Sequence, residues 1–503
     1  MKRFWGATNR LTAPLLAAAL AFAPTAAEAA RKPSREEIAN TQLKARLLEQ
    51  ITELASDAYE GREPGTEGES KTLRYLGKQW FEIGLQSGTN DPGHTWFAPV
   101  TIVGREPDGS RATFAHRGRH LLVPAEATVV LTSSKRALIE NAPLLFVGTG
   151  RAVPPRAELA GRVAVLLDGE DETSERQNAL LKGGATAVLT VLDGMRSLEN
   201  VSAHRRRMGY ALAGEELGGD LEAFISADGM TRALAGSGQT LASLQQAAAA
   251  PGFVPKLLDV TASLEATTRE TRIHTHNLIG KLPGRRPDLG AVLLLAHWDH
   301  FGRCVPPPAE AQICNGAVDN ASGLAVLTEV ARRLADGPAP ERDIYFLATT
   351  GEELGLLGAH AFAEDPPLPL GRIVGAFNID TVAIGPAGQP FAVVGKGLTQ
   401  MDGAIAAVAK AQKKKLFTDD RIAPYVRRQD GWALLQYDVP AVMVSSSWSD
   451  MARVEHFMET DYHRPSDKVK PGMELGGAAD DVGFLTALAR WFADPRKVAG
   501  RAK

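Results

Sequence analysis

The sequence predicts an α/β fold: a mostly parallel central sheet with helices on both faces, interrupted by a smaller α/β insert. Three observations carry this. Continuous apolar runs at 292–296, 343–349, 373–379 and 440–445 have the composition of strands buried on both faces, as in a parallel sheet. Amphipathic helical stretches alternate with them, most clearly 321–335, where Leu324, Leu327, Val330 and Leu334 share one face. Between 125 and 263 the pattern changes to shorter apolar runs separated by turns, which reads as a second folded unit.

Taken in order, residues 36–56 predict a helix, with Leu43, Leu47, Ile51 and Leu54 at helical spacing. A turn-rich loop from Gly61 to Gly68 follows, then a helix over 69–83 that stops at Gly84, then a strand over 96–103. In the middle unit, 144–148, 163–167 and 185–192 predict strands with a helix before Gly183-Gly184. This unit holds no His/Asp/Glu cluster at ligand-like spacing, so a folded accessory domain without chemistry is its plain reading. Beyond 277, strands at 391–394 and helices at 356–363 and 484–492 complete the alternation. The expected domains are 30–124 and 264–503 for the two parts of the main unit and 125–263 for the insert.

With 503 residues, 44% of them apolar and 23% charged, the chain excludes wholesale disorder and is long enough for two or three domains. The net charge of −3, with no long basic run, gives no electrostatic case for nucleic acid. Two cysteines cannot build a disulfide-rich scaffold. Lys2, Arg3 and Arg10 precede an apolar run from Leu11 to Ala23, and Ala27-Glu28-Ala29 fits a small-x-small cleavage site. Residues 1–29 are therefore expected to be a signal peptide and the protein to be exported, periplasmic or extracellular; the apolar run is shorter than the roughly 20 residues of a membrane span. No other segment reads as transmembrane, so no stable membrane insertion is expected.

The chemistry-bearing residues sit at the ends of the predicted strands. The first strand runs into His297-Trp298-Asp299-His300, the next into Thr350-Gly351-Glu352-Glu353, and the third into Asp380. Asp319 precedes the helix at 321, and Asp461-Tyr462-His463 lies near the end. Ligands of open α/β sheets bind at the carboxyl ends of the strands. Singly, Asp319 could be only a helix cap and Glu352-Glu353 a solvated loop. Together, several carboxylates at an apolar sheet edge need counter-charge, and Lys and Arg are scarce around them. A divalent metal supplies it. Two imidazoles with three carboxylates suit zinc, with cobalt or manganese as substitutes, better than magnesium. One carboxylate can bridge two ions through its two oxygens.

These residues resemble a known family. Ala296-His297-Trp298-Asp299-His300-Phe301-Gly302, Asn315-Gly316-Ala317-Val318-Asp319-Asn320-Ala321-Ser322-Gly323, Gly351-Glu352-Glu353-Leu354-Gly355-Leu356-Leu357-Gly358, Asn378-Ile379-Asp380 and Tyr462-His463 with Asp467 follow the order and spacing of the secreted di-zinc aminopeptidases of clan MH. The similarity is strongest to bacterial members with an inserted protease-associated domain and to aminopeptidase Y; glutamate carboxypeptidase relatives are more distant. It extends to Gly61-Arg62-x-Pro64-Gly65-Thr66 and, in the insert, to Phe146-Val147-Gly148 and Gly183-Gly184-Ala185. The resemblance implies that two zinc ions are held by His297 and Asp380 on one side and Glu353 and His463 on the other, with Asp319 between them. It implies Glu352 as general base and Asp299 as the hydrogen-bond partner that fixes the tautomer of His297. His300 is expected behind the ligands.

The chain departs from the family where relatives carry Arg-Ser-Asp-His: here the residues are Arg428-Gln429-Asp430-Gly431, followed by Trp432. That departure bears on the substrate pocket, and Asp430 is open between a site role and a loop charge. Tyr425 and Tyr462 are the candidate oxyanion donors. Cys304 and Cys314 are expected to pair in an exported chain; the alternative, that both are metal ligands, fits their spacing poorly. The implied activity is aminopeptidase action on peptides with a free N-terminus. A dipeptidase or carboxypeptidase could use the same centre; carboxypeptidase relatives need a basic cluster for the terminal carboxylate, which the sequence does not place, Arg427, Arg428 and Arg453 being the candidates. Cyclisation of N-terminal glutamine with a single zinc fits the full ligand set less well. A non-catalytic peptide-binding module is the alternative of another class.

Overall fold

A computed structural model of the chain describes residues 34–149, 152–169, 173–194, 196–207, 209–215 and 221–500. The expected signal peptide, 1–29, lies outside the described residues. The strands in chain order are β1 (Gln86–Ser87), β2 (Phe97–His116), β3 (Arg119–Leu121), β4 (Thr128–Thr132), β5 (Arg136–Phe146), β6 (Val163–Leu167), β7 (Ala187–Val191), β8 (Tyr210–Leu212), β9 (Leu221–Ile225), β10 (Lys256–Leu282), β11 (Ala291–His297), β12 (Asp343–Thr349), β13 (Ile373–Asn378), β14 (Ala392–Val394) and β15 (Ala441–Ser445).

Strands β15, β13, β11 and β12 lie side by side and parallel, flanked by antiparallel β14 and β10. Every residue of β11, β13 and β15 is buried, which is why their sequences are continuously apolar rather than alternating. The period-2 geometry of a strand still sorts them. Val292, Leu294 and Ala296 of β11 pack into the cluster that includes Leu327 and Val330 of the helix Gly323–Ala335 and Leu485 and Leu488 of the helix Gly476–Ala493. Leu293 and Leu295 point the other way, with Phe362 of the helix Leu357–Glu364 and Leu434 of the helix Gly431–Gln436. The sheet is thus mostly parallel with helices on both faces, as the sequence predicts.

The helix expected at 36–56 is Arg35–Leu54, and that at 69–83 is Glu67–Ile83, closed by Gly84 in the left-handed conformation at φ 91°. The chain divides into two units at Gln42. The described part of the first, 34–42, is helical from Arg35, and the Ser34 Oγ accepts the N–H of Glu37 at 3.1 Å. All that follows concerns the second.

The largest difference from the sequence reading is the length of β2 and β10. The strand expected at 96–103 continues to His116, and β10 runs for 27 residues. The two pair from Phe97 with Leu278 to Ala115 with Thr261. The stretch Thr267–His276 is too polar to signal a strand; its cross-strand pairing provides what apolar burial does not. Arg269 bonds Glu106 at 2.6 Å, Arg111 bonds Glu265 at 2.6 Å, and Arg105 faces Glu270 at 3.5 Å. This ribbon leads from the main sheet to parallel β5, β6, β7 and β9 with β4 antiparallel at the edge, packed around a separate cluster that includes Leu144, Val165, Leu189 and Ile225. Among the described residues no helix is long and apolar enough to cross a membrane.

Candidate metal centre

The register of the parallel strands brings the charged residues together. His297, the last residue of β11, sits opposite Thr349, the last of β12, and Leu295 sits opposite Asn378, the last of β13. The loops that leave these three neighbouring ends carry Asp299 and His300, Glu352 and Glu353, and Asp380. Asp319 arrives from the segment before Gly323–Ala335. That segment turns on Gly316 at φ 58°, where a Cβ would lie 2.0 Å from the carbonyl oxygen of Asp319. His463 arrives from the turn after the helix Met451–Thr460.

The two oxygens of Asp319 face opposite sides. Oδ1 lies 3.2 Å from His297 Nε2, which is also 3.6 Å from Asp380 Oδ1. Oδ2 lies 3.5 Å from His463 Nε2, which is 2.9 Å from Glu353 Oε2. The structure therefore brings His297, Asp319, Glu353, Asp380 and His463 together, in two half-sites that share Asp319. Ligand atoms of His297, Asp319 and Glu353 lie within 4.8 Å of one another, as do those of His297, Glu352 and Asp380. The nitrogen and oxygen donors fit divalent cations of the zinc type. His463 Nε2 is buried and faces both carboxylates, with no well-aligned hydrogen bond to either, as befits a donor atom aimed between them.

Electrostatics in this cluster are extreme. Burial pushes the Glu352 carboxyl up, and the neighbouring carboxylates of Glu353, Asp380 and Asp430 add to it against the pull of His297, so it lies well above the ordinary range. Burial also raises Asp319, but the imidazoles of His297 and His463 outweigh it and hold that carboxyl well below its usual value. His463 loses by burial and gains more from Asp319 and Glu353, rising to about 9.

Surrounding groups fix these side chains. Asp467 accepts the N–H groups of Val318 at 2.9 Å and Asp319 at 3.0 Å. Thr381 Oγ1 donates to Asp380 Oδ1 at 3.0 Å, and Trp448 Nε1 to the Asp380 carbonyl at 3.0 Å. His300 Nδ1 meets Glu353 Oε1 at 2.5 Å, behind the face that Glu353 presents to His463. Asp430 accepts a bond from Thr349 Oγ1 at 2.5 Å, and its other oxygen is buried without a partner; it belongs to the site's surroundings rather than to a solvated loop.

Asp299 differs from its expected role. The far nitrogen of His297, Nδ1, lies 3.1 Å from the main-chain carbonyl of Asp299 and 3.8 Å from its carboxylate. The carboxylate instead accepts the N–H groups of Glu352 at 3.1 Å and Glu353 at 3.3 Å. The two-residue separation favours the carbonyl for the imidazole and leaves the side chain free to reach the next loop. Asn320 was not singled out by the sequence reading. Its Nδ2 donates to the Ile379 carbonyl at 2.9 Å, and its Oδ1 accepts from Gly323 at 3.0 Å and Thr381 at 3.3 Å, tying the Asp319 segment to the Asp380 segment. Its signal in the sequence is its place in the Asn315–Gly323 stretch, directly after Asp319.

Beside Asp319, Glu352 and Asp380 opens a narrow pocket with Met443, Trp448 and Met458 as its apolar wall. Tyr425, Tyr462 and Arg428 also line it, and the Arg428 guanidinium lies 5.8 Å from the Tyr425 ring centre and 5.3 Å from that of Tyr462. Cys304 and Cys314 are bridged, closing the loop between the His297 and Asp319 segments with their Cα atoms 5.7 Å apart.

Comparison with known proteins agrees with this architecture. Residues 277–478 match Peptidase family M28. Aminopeptidase YwaD of Bacillus subtilis (strain 168) is 28% identical over 280 residues, covering 55% of this chain and 51% of that protein. The alkaline phosphatase isozyme conversion protein of Escherichia coli (strain K12) is 36% identical over 102 residues, 18% of this chain and 29% of that one. The chain thus spans about half the length of the first of these relatives and less of the second. The solved structure of an aminopeptidase from Aneurinibacillus sp. strain AM-1 covers 92% of this chain and 98% of its own, with a TM-score of 0.54 at 18% identity, and shares the fold. The segment that matches Peptidase family M28, residues 277–478, is also the one that carries all five converging side chains.

Proposed function

We propose that the chain is an exported zinc-dependent aminopeptidase that hydrolyses the N-terminal bond of peptides, with His297, Asp319, Glu353, Asp380 and His463 holding two zinc ions. The observation that carries this is the division of Asp319, one oxygen toward His297 and the other toward His463. Bound zinc ions supply the positive charge that acidifies a water and polarises the scissile carbonyl. Glu352, placed beside His297 and Asp380, takes the proton of the attacking water and delivers it to the leaving amine. Asp299 aims Glu352 and Glu353 through their main-chain N–H groups. Tyr425 and Tyr462 line the pocket, where a phenol can donate to the oxygen on which charge develops. The apolar wall of Met443, Trp448 and Met458 receives the first side chain of the substrate.

The insert, taken as 125–263, limits the size of peptide admitted. In support, β8 pairs with β2 at Ile102–Gly104, and Leu212 packs with Leu357 and Leu354, just beyond Glu352-Glu353. Export agrees with the Cys304–Cys314 bridge, since such bonds persist in oxidising compartments.

The test is hydrolysis of amino-acid anilides that stops with a chelator and returns with zinc. A second reading, dipeptidase or carboxypeptidase action, is favoured by Arg428 at the pocket wall, where a guanidinium can meet a terminal carboxylate. Turnover confined to N-blocked peptides selects carboxypeptidase action, and turnover confined to free dipeptides selects dipeptidase action. A folded chain that binds peptide without turnover selects the non-catalytic module.

A further inference from the structure

Arg62 is fully buried, and its guanidinium makes four hydrogen bonds that all end on main-chain carbonyls. Nε donates to Trp298 at 2.9 Å, one terminal nitrogen to Leu54 at 2.9 Å and to Asn315 at 2.6 Å, and the other to Gly316 at 2.9 Å. Trp298 lies between His297 and Asp299; Gly316 is three residues before Asp319. One planar fork therefore spans both ligand-bearing segments. The main chain returns the contact, with His300 N–H donating to the Arg62 carbonyl at 3.2 Å and Gly302 N–H to that of Gly61 at 3.1 Å. Gly61, at φ 71°, has room only for hydrogen, since a Cβ would lie 2.5 Å from the Cys314 carbonyl oxygen. Arg62 itself is held at φ 52°, a conformation that non-glycine residues rarely adopt and that a surrounding structure must impose.

A guanidinium offers five N–H donors in one rigid plane, whereas an ammonium offers a point charge on a flexible stem. Four carbonyls on three separate segments need the plane. We infer that Arg62 is a positioning residue for the metal centre, setting the separation of His297 and Asp319 through the main chain by its donor fork rather than by its charge. The consequence is a site whose ligands stand in place before any cation arrives, so that binding costs little ordering. This inference rests on the metal-centre reading above.

The experiment measures zinc affinity by chelator competition, and melting temperature with and without zinc, for the wild type, Arg62→Lys and Arg62→Met. Wild-type protein that takes up no zinc removes the metal-centre reading itself. If the wild type binds, both variants are expected to bind about tenfold or more weakly, the size typical of groups that orient metal ligands, and to gain less in melting temperature from zinc. Wild-type affinity in Arg62→Lys overturns the inference, because charge alone then suffices. Equal losses of melting temperature with and without zinc at unchanged affinity also overturn it, because the role is then general stability. If neither variant folds, hydrogen exchange in the metal-free wild type decides: a protected His300 amide supports a preset site, and exchange as fast as in an exposed loop contradicts it.

Discussion

The carboxylate of Asp299 accepts the main-chain N–H of Glu352 at 3.1 Å, and its second oxygen accepts that of Glu353 at 3.3 Å. One side chain at the end of β11 thereby holds the loop at the end of β12, and two adjacent glutamates are fixed with different orientations. Glu353 reaches His463 and His300, while Glu352 lies near His297 and Asp380. Asp299→Asn replaces one acceptor by an amide that faces an N–H group. The expected result is a stability loss of about 1–3 kcal/mol and a fall in kcat larger than any change in KM, read by denaturant titration and steady-state kinetics. Unchanged kcat removes Asp299 from the positioning of Glu352.

Glu352→Gln keeps the size of the side chain and removes the proton acceptor. Zinc content is expected to stay at the wild-type level while turnover falls by roughly 10²–10⁴. Elemental analysis beside an anilide assay reads both. A variant as fast as wild type contradicts the general-base role.

The two half-sites predict different losses of metal. His463→Ala takes a ligand from one half only, so dialysed protein is expected to retain one zinc per chain. Asp319→Ala takes the shared carboxylate, and both ions are expected to be lost. Two zinc ions retained in Asp319→Ala contradict the sharing.

Four buried aspartates make the metal-free fold sensitive to pH. Burial raises Asp299 and Asp481 to about 7 and Asp430 and Asp467 to about 6. Unfolded, each titrates near 3.9. The folded state therefore holds more protons between these values. Stability from this source is full below about pH 4 and is lost as pH rises through 6 to 7. His463, raised to about 9 by Asp319 and Glu353 against its burial, acts in the same direction and extends the loss toward pH 9. Asp319 and Glu353, both lowered, oppose this only at the acid end. The melting temperature of chelator-treated protein is expected to fall from pH 5 to 8. Zinc is expected to flatten that slope, leaving the part due to Asp481, which bonds Ser445 and Ser446 away from the ligands. A metal-free melting temperature that rises over this interval contradicts the assignment.

Replacing both Cys304 and Cys314 by Ser opens a loop of separation 10 between two ligand segments. A loss of about 2–3 kcal/mol is expected from the freed unfolded chain, measured by denaturant unfolding against the unreduced wild type.

Much of this molecule is legible in its sequence because its central strands are buried on both faces. Each apolar run of β11, β12 and β13 ends where charge begins, so the strand and its site residues appear together as one signal. The long ribbon of β2 and β10 is not legible, because Thr267–His276 is polar and is held by cross-strand ion pairs that no local pattern reveals. The departure of Asp299 from its expected partner has the same origin. Spacing tells which side chains share a strand end, but whether a carboxylate meets an imidazole or a main-chain N–H depends on the neighbouring loop. Arg62 and Asn320 act almost wholly on main-chain groups, and main-chain partners leave no mark in residue spacing.

The central claim is two cations held by one shared carboxylate. The most direct measurement is titration of metal-stripped protein with zinc, following bound ions and anilide hydrolysis in the same sample. Uptake of two zinc ions per chain, with hydrolysis appearing as the sites fill, is the predicted result. Folded protein that binds no zinc, or that hydrolyses the substrate equally well after complete stripping, contradicts it.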